Sequence, residues 1–171
     1  MNFDFNQLKP DFNAIAKTDW AKPQFDTTDI VKLVGTVASA LMLVFVFCPW
    51  FGIAEEGESI IRLGITLWYG IFAFLAAAAT LACNLYNHKA LAVWTAVLGV
   101  VFAIIGLFSW PDLTFEGITM PGETIKMGAN LAKLAGEKVD IVSWGAVMYL
   151  ISALVAGVSA FADAIGFKLN K

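Results

Sequence analysis

Residues 41–69 read LMLVFVFCPWFGIAEEGESIIRLGITLWY. An apolar run rises to Pro49-Trp50, a short acidic segment follows, and a second apolar run opens at Gly64. Backbone polar groups in lipid must bond within their own segment, so apolar runs of this length imply helices. The stretch therefore predicts a helix leaving a membrane, a small loop outside it, and a helix going back in. Within the loop, Glu55-Glu56-Gly57-Glu58 is a turn signal. Residues 59–63 beyond it can pair back on residues 50–54 as a small hairpin.

The whole chain has the same character. Of its 171 residues 59% are hydrophobic and 15% charged, and mean hydropathy is +0.74. A typical soluble domain has about 25% charged residues. In water this composition would leave large apolar patches exposed, so the fitting solvent is a bilayer. A net charge of -3 supplies no basic surface for nucleic acid.

Working outward, the first span is expected at residues 30–51, behind the N-cap chemistry of Thr27-Thr28-Asp29 and with Lys32 able to snorkel at its inner end. Further spans are expected at residues 64–83, 90–108 and 142–162, each long enough to cross about 30 Å of hydrocarbon. The expected fold class is an all-α membrane protein, a four-transmembrane-helix bundle with a small outer β-hairpin or short sheet. Residues 1–29 form a cytoplasmic amphipathic tail, residues 30–165 the membrane domain with outer loops 52–63 and 109–141, and residues 166–171 a second tail. Residues 1–29 are polar and mixed in charge, so the first span is expected to act as its own insertion signal. Lys9, Lys17, Lys22, Lys32, Lys89, Lys168 and Lys171 then lie on one side, against Arg62, Lys126, Lys133 and Lys138 on the other. This distribution places both termini in the cytoplasm.

In the first tail, Phe3, Phe5, Leu8, Phe12 and Ile15 recur at roughly helical spacing, and a short helix is expected over residues 10–17. The leading reading is a loose tail packing its Phe side chains on the bundle, with an interfacial helix and a docking arm as the alternatives. In the second outer loop, residues 113–120 are expected to add a strand to the first-loop hairpin. A helix is expected from Pro121-Gly122-Glu123 to about Ala135, stopped by Gly136. Ile125, Met127, Leu131 and Leu134 are expected to make one apolar side, with Lys126, Asn130 and Lys133 polar. It would lie on the outer membrane surface or cap the bundle.

Trp50, Trp68, Trp110 and Trp144 fall one at the outer end of each expected span, as in an interfacial tryptophan belt. The spacing also suggests two Trp-to-Trp hairpins related as a pseudo-repeat, although any four-span protein places Trp at its interfaces. Small residues stand in rows: Gly35 and Ser39; Thr95, Gly99 and Ala103; and Ser152, Ala153, Ala156, Gly157 and Ala160. Such rows let helices approach closely in lipid, predicting a tight bundle.

Chemistry is sparse. The central turns of the expected spans hold no ionisable group, since Lys32 and Asp163 are terminal. Thr36, Ser39, Thr80, Thr95, Ser152 and Ser159 are expected to bond carbonyls of their own helices. The single His88 reads as an exposed turn residue, and Glu55, Glu56 and Glu58 as a solvated turn. Cys48 and Cys83 fall at opposite ends of the spans, too far apart to pair. No Cys/His spacing suits a metal, so neither enzyme activity nor a cofactor is expected.

Four spans, both ends inside, a hairpin-like loop after Pro49-Trp50, and Gly64-Ile65-Thr66-Leu67-Trp68 leading into the second span resemble the claudin-like tetraspan architecture. The claudin cysteine pair is missing from this loop, so sealing-strand function does not come with the resemblance. The chain is also similar to small bacterial four-span proteins with Pro-Trp after the first helix and a Gly/Ala-rich last helix. That likeness implies a bacterial inner (plasma) membrane. The expected role is an integral membrane scaffold or accessory subunit, whose partners are the lipid bilayer and another membrane protein or a second copy. Trp50, Arg62, Trp68, Trp110 and Trp144 are its interaction candidates, with Arg62 able to pair with Glu55, Glu56 or Glu58. The alternative is an oligomeric channel or membrane-permeabilising effector with a pore between subunits.

Overall fold

A computed structural model describes residues 8–24, 28–55, 58–115, 118–136, 140–141 and 143–167. The expectations for Phe3, Phe5, Thr27, Glu56, Lys138, Lys168 and Lys171 lie outside the described residues, as do those for the side chains of Glu55, Glu58 and Lys133.

The first helix is short. Asp11 accepts the Asn13 amide at 3.0 Å and starts α1, Phe12–Ala16. Asp29 does the same for α2, Ile30–Val46, taking the Val31 amide at 3.0 Å. Helix α2 stops five residues before the expected Phe51. Pro49 has no N–H to continue a helix, and the Phe47 and Cys48 amides turn back to the Val44 and Phe45 carbonyls. The chain then extends as β1, Pro49–Glu55, and returns as β2, Glu58–Leu63. The two pair antiparallel with Ile53 opposite Ile60 and Phe51 opposite Arg62, which is the hairpin the turn signal predicts.

A 3-10 turn, Gly64–Thr66, leads into α3, Trp68–Leu85, so the second long helix starts four residues later than expected. A turn through Asn87, at φ 60, reverses the chain into α4, Lys89–Phe108. Then come β3, Leu113–Phe115, and β4, Ile118–Met120, followed by α5, Gly122–Leu134. The chain ends with β5, Asp140–Ile141, and α6, Trp144–Ala164.

Strands β3 and β4 pair with each other and do not extend the first sheet. The free edge of β1 is taken by β5, with Ile53 opposite Ile141. The helix arrangement explains this. Helices α2 and α4 each pack between α3 and α6, which puts α4 diagonally across from α2. The chain leaving α4 therefore starts from the corner opposite α2, and it meets β1 through the Trp110 ring on Phe51 rather than by strand pairing. Residues entering α6 arrive beside β1, where Gly145 lies against Pro49.

The four long helices form an up-down-up-down bundle. The sheet lies at one end, which also holds the start of α3 and the end of α4. The turn at Asn87 lies at the other, together with the start of α2 and the end of α6. The axis is filled by Met42, Ala73, Ala77, Tyr149, Ala153 and Ala156, all fully buried. The outward faces carry Val37, Val44, Phe72, Leu75, Leu98, Val101, Leu154 and Val158, all exposed. Helices α3, α4 and α6 are long and apolar enough to cross a membrane. Helix α2 has 17 residues, about 26 Å at 1.5 Å per residue, and is the short member.

Candidate functional site

The sheet end is built around Trp50. Its side chain is 1% exposed, so its ring contacts protein rather than the lipid headgroups that the sequence pattern suggests. The physical reason is the early end of α2. The strand carries Trp50 back over the bundle, and its Nε1–H donates to the Phe45 carbonyl at 2.8 Å. Phe45 lies in the last turn of α2, and its carbonyl accepts both from the indole and from the Cys48 amide. The indole therefore caps the helix. Its ring stacks on Tyr69 with centroids 6.1 Å apart and meets the Tyr149 ring edge-on at 5.2 Å. Two glycines open its slot: a Cβ on Gly64 would lie 2.6 Å from Nε1, and one on Gly106 2.7 Å from Cε3.

The other tryptophans do different work. Trp68 is 60% exposed and touches Tyr69 and Phe72, and Trp144 is also exposed. Trp110 is half-buried and packs edge-on against Phe51 at 5.2 Å. Trp50 and Trp68 are joined through Tyr69, which stacks on one and meets the other edge-on. Arg62 is exposed on β2. The structure thus gathers Trp50 and the two tyrosines into one cluster, and leaves Arg62, Trp68 and Trp144 at the surface.

Between the ends, the small residues line helix contacts. Gly35, Ser39, Gly99, Ala103, Ala153, Ala156 and Ala160 are buried, and Gly157 is half-buried. Gly99 makes room for the tips of Met42 and Tyr149. The Tyr149 hydroxyl donates to the Ala73 carbonyl at 2.6 Å across the bundle. Sequence reading passed over this tyrosine; its signal was a phenol in the middle of an apolar run, which must find an acceptor when buried. Thr36, Ser39, Thr80, Thr95 and Ser152 bond carbonyls of their own helices as expected. Ser159 does not. Its hydroxyl donates to the Val31 carbonyl at 2.6 Å, tying α6 to α2.

The turn end holds a polar cluster. Asn84 donates to the Ser39 hydroxyl at 2.7 Å and to the Gly35 carbonyl at 3.2 Å. Lys89 meets Asp163 at 2.8 Å, joining the start of α4 to the end of α6. The crevice among these residues has about 10 Å³ of free volume, enough for a water and too small for an organic ligand. His88 is half-buried rather than exposed, with Nε2 2.8 Å from the Thr18 hydroxyl. The same hydroxyl lies 2.9 Å from the Ala14 carbonyl. Among the described residues, no three His, Cys, Asp or Glu side chains stand together as a metal site.

No family profile matches the chain, no curated protein is similar to it, and no solved structure resembles its fold.

Helix α5 is the most unusual surface element. Gly122 is seated against Trp110 and its amide donates to Asp112 at 2.8 Å. Ile125, Ala129 and Ala132 are covered or partly covered, while Met127, Leu131 and Leu134 stand outward at 63%, 59% and 85% exposure. Ile125 therefore does not share a side with Met127, Leu131 and Leu134 as expected: two residues along a helix is about 200° of turn, so the helix is apolar on two opposite faces, and only one of them is seated.

Proposed function

We propose that this chain crosses a bilayer four times, with both termini in the cytoplasm, and serves as a non-enzymatic scaffold or accessory subunit. It would bind another membrane protein, or a second copy of itself, through its outer end. The α2 crossing is supported by its position. It runs between α3 and α6 from the polar end of the bundle to the sheet. Its outward residues Val34, Val37, Leu41 and Val44 are exposed and apolar like those of its neighbours. The cytoplasmic placement of the termini rests on the distribution of Lys and Arg.

The outward stripe Met127, Leu131 and Leu134 carries the scaffold reading. Three large apolar side chains in a row, flanked by Glu123, Lys126 and Asn130, form a helical docking face. Filled packing along the bundle axis and the lack of room at the polar cluster argue against a substrate passing through or being held by a single chain. The test is a photo-crosslinking residue in place of Leu131 or Met127, activated in native membranes. The proposal expects an adduct of one defined mass that Leu134→Asp abolishes while the folded level is unchanged. Adducts with lipid alone, or none, would overturn it.

A further inference from the structure

The segment before α2 is strapped to the bundle along a path that can be followed bond by bond. The Gln24 amide donates to the Leu85 carbonyl at 2.8 Å, at the end of α3. The Tyr86 hydroxyl donates to the Trp20 carbonyl at 2.7 Å, and the rings of Trp20 and Tyr86 meet 4.7 Å apart. Thr18 then bonds His88 at the turn. Finally the Trp94 Nε1–H donates to the Leu8 carbonyl at 3.0 Å. Trp94 is five residues into α4, about 7.5 Å along the helix axis at 1.5 Å per residue. Long helical side chains lean towards the N-terminus, which makes Leu8 somewhat shallower. Traced backwards from Gln24, the strap leaves the level of the helix ends and runs inward along α4.

The strap exposes two large apolar side chains, Phe12 and Trp20, among its charged ones. Phe12 is 67% exposed, and Trp20 and Trp94 each about half. At Leu8 the strap meets Trp94, from which Val97, Leu98, Val101 and Ile104 continue the outward apolar face of α4. Lys9, Asp11, Asn13 and Lys17 are exposed or partly exposed on the strap. Over residues 8–24 three lysines stand against two aspartates, and Lys22 is already paired with Asp19. Net charge is therefore too small to drive binding to anionic lipid, and aromatic burial is the larger effect.

We infer that residues 8–20 form an interfacial collar. Helix α1 lies in the headgroup and upper acyl layer beside α4, with Phe12 and Trp20 in lipid and the lysines at the water side. The occupant of this surface is the bilayer itself. The inference rests on the membrane reading of α4 and α6, and its test separates the two.

In a chain with Cys48 and Cys83 replaced by Ser, a single cysteine is placed at Phe12→Cys or at Val155→Cys and labelled with an environment-sensitive fluorophore. The protein is reconstituted into phosphatidylcholine vesicles that carry a quencher either near the headgroup or near the acyl-chain terminus. Val155, exposed midway along α6, reports on the membrane reading. The collar predicts blue-shifted emission at position 12, with stronger quenching by the shallow probe than by the deep one. Position 155 shows the reverse order. The emission at position 12 does not change when phosphatidylglycerol replaces part of the phosphatidylcholine. Water-like, unquenched emission at position 12 with deep quenching at 155 overturns the collar and leaves the membrane reading standing. Loss of quenching at both positions overturns both.

Discussion

Replacing Gly106 by Ala tests whether Trp50 is the rigid centre of the sheet end. The new Cβ would fall 2.7 Å from Cε3 and 2.8 Å from Cζ3 of Trp50. Ordinary carbon contacts are about 3.5–4.0 Å, so the indole would have to move by roughly 1 Å. It has nowhere to go. Tyr69 stacks on it, Tyr149 meets it edge-on, and its N–H is held by the Phe45 carbonyl. Overpacking of this kind costs about 1–3 kcal/mol. Replacing a helical Gly by Ala returns about 1 kcal/mol, so the net loss is about 0–2 kcal/mol. Trp50→Ala alone should cost about 3–5 kcal/mol, because it leaves a cavity and uncaps α2. In the Trp50→Ala background the collision is gone, and Gly106→Ala should become stabilising by up to about 1 kcal/mol. The double-mutant cycle therefore predicts a coupling of about 1–3 kcal/mol, read from denaturant titrations in mixed micelles. Additivity within about 0.5 kcal/mol would refute the packing argument.

Other substitutions read other parts of the fold by the same titration. Gly70→Ala puts a Cβ into the Gly64 carbonyl, a backbone group that cannot step aside, and should lower the yield of folded protein sharply. Gly128→Ala meets nothing within 4 Å and should be neutral or stabilising by up to about 1 kcal/mol. Tyr149→Phe removes one interhelical hydrogen bond and should cost about 0.6 kcal/mol, the mean between membrane helices, and at most about 1.7 kcal/mol; a larger loss would mean the phenol does more than bond Ala73. Asp163→Asn should cost about 1–3 kcal/mol, between the values for exposed and buried pairs, and no loss would show that Lys89 finds another partner.

The long helices were legible because a span is written in consecutive residues. Apolar length, the Asp29 cap and the polar turn at residues 84–89 are local signals. The hairpin of residues 50–63 was local too, with strands on either side of an acidic turn. What escaped was set by position across the bundle. The partner of β1 is β5 and not β3, because α6 and not α4 packs beside α2. Nothing in residues 113–120 or 140–141 encodes that choice on its own. Trp50 looked interfacial because it follows an apolar run. Its burial depends on α2 ending at Val46, and on glycines 14 and 56 residues further along the chain. Ser159 looked self-satisfied, and the carbonyl it bonds belongs to a helix 128 residues away. The polar cluster of Ser39, Asn84, Lys89 and Asp163 likewise draws on all four long helices; alone, Ser39 reads as a self-bonded small residue and the other three as helix-end groups.

The central claim is that α2 crosses the membrane along with its three longer neighbours. Single cysteines at Lys17, Ile61, Asn87 and Thr119, in a chain with Cys48 and Cys83 replaced by Ser, test it by labelling with a membrane-impermeant maleimide. All four positions are exposed. The account predicts that intact cells label Ile61→Cys and Thr119→Cys, and that Lys17→Cys and Asn87→Cys react only after permeabilisation. Labelling of Lys17→Cys from the same side as Ile61→Cys would mean that α2 does not cross, and would contradict it.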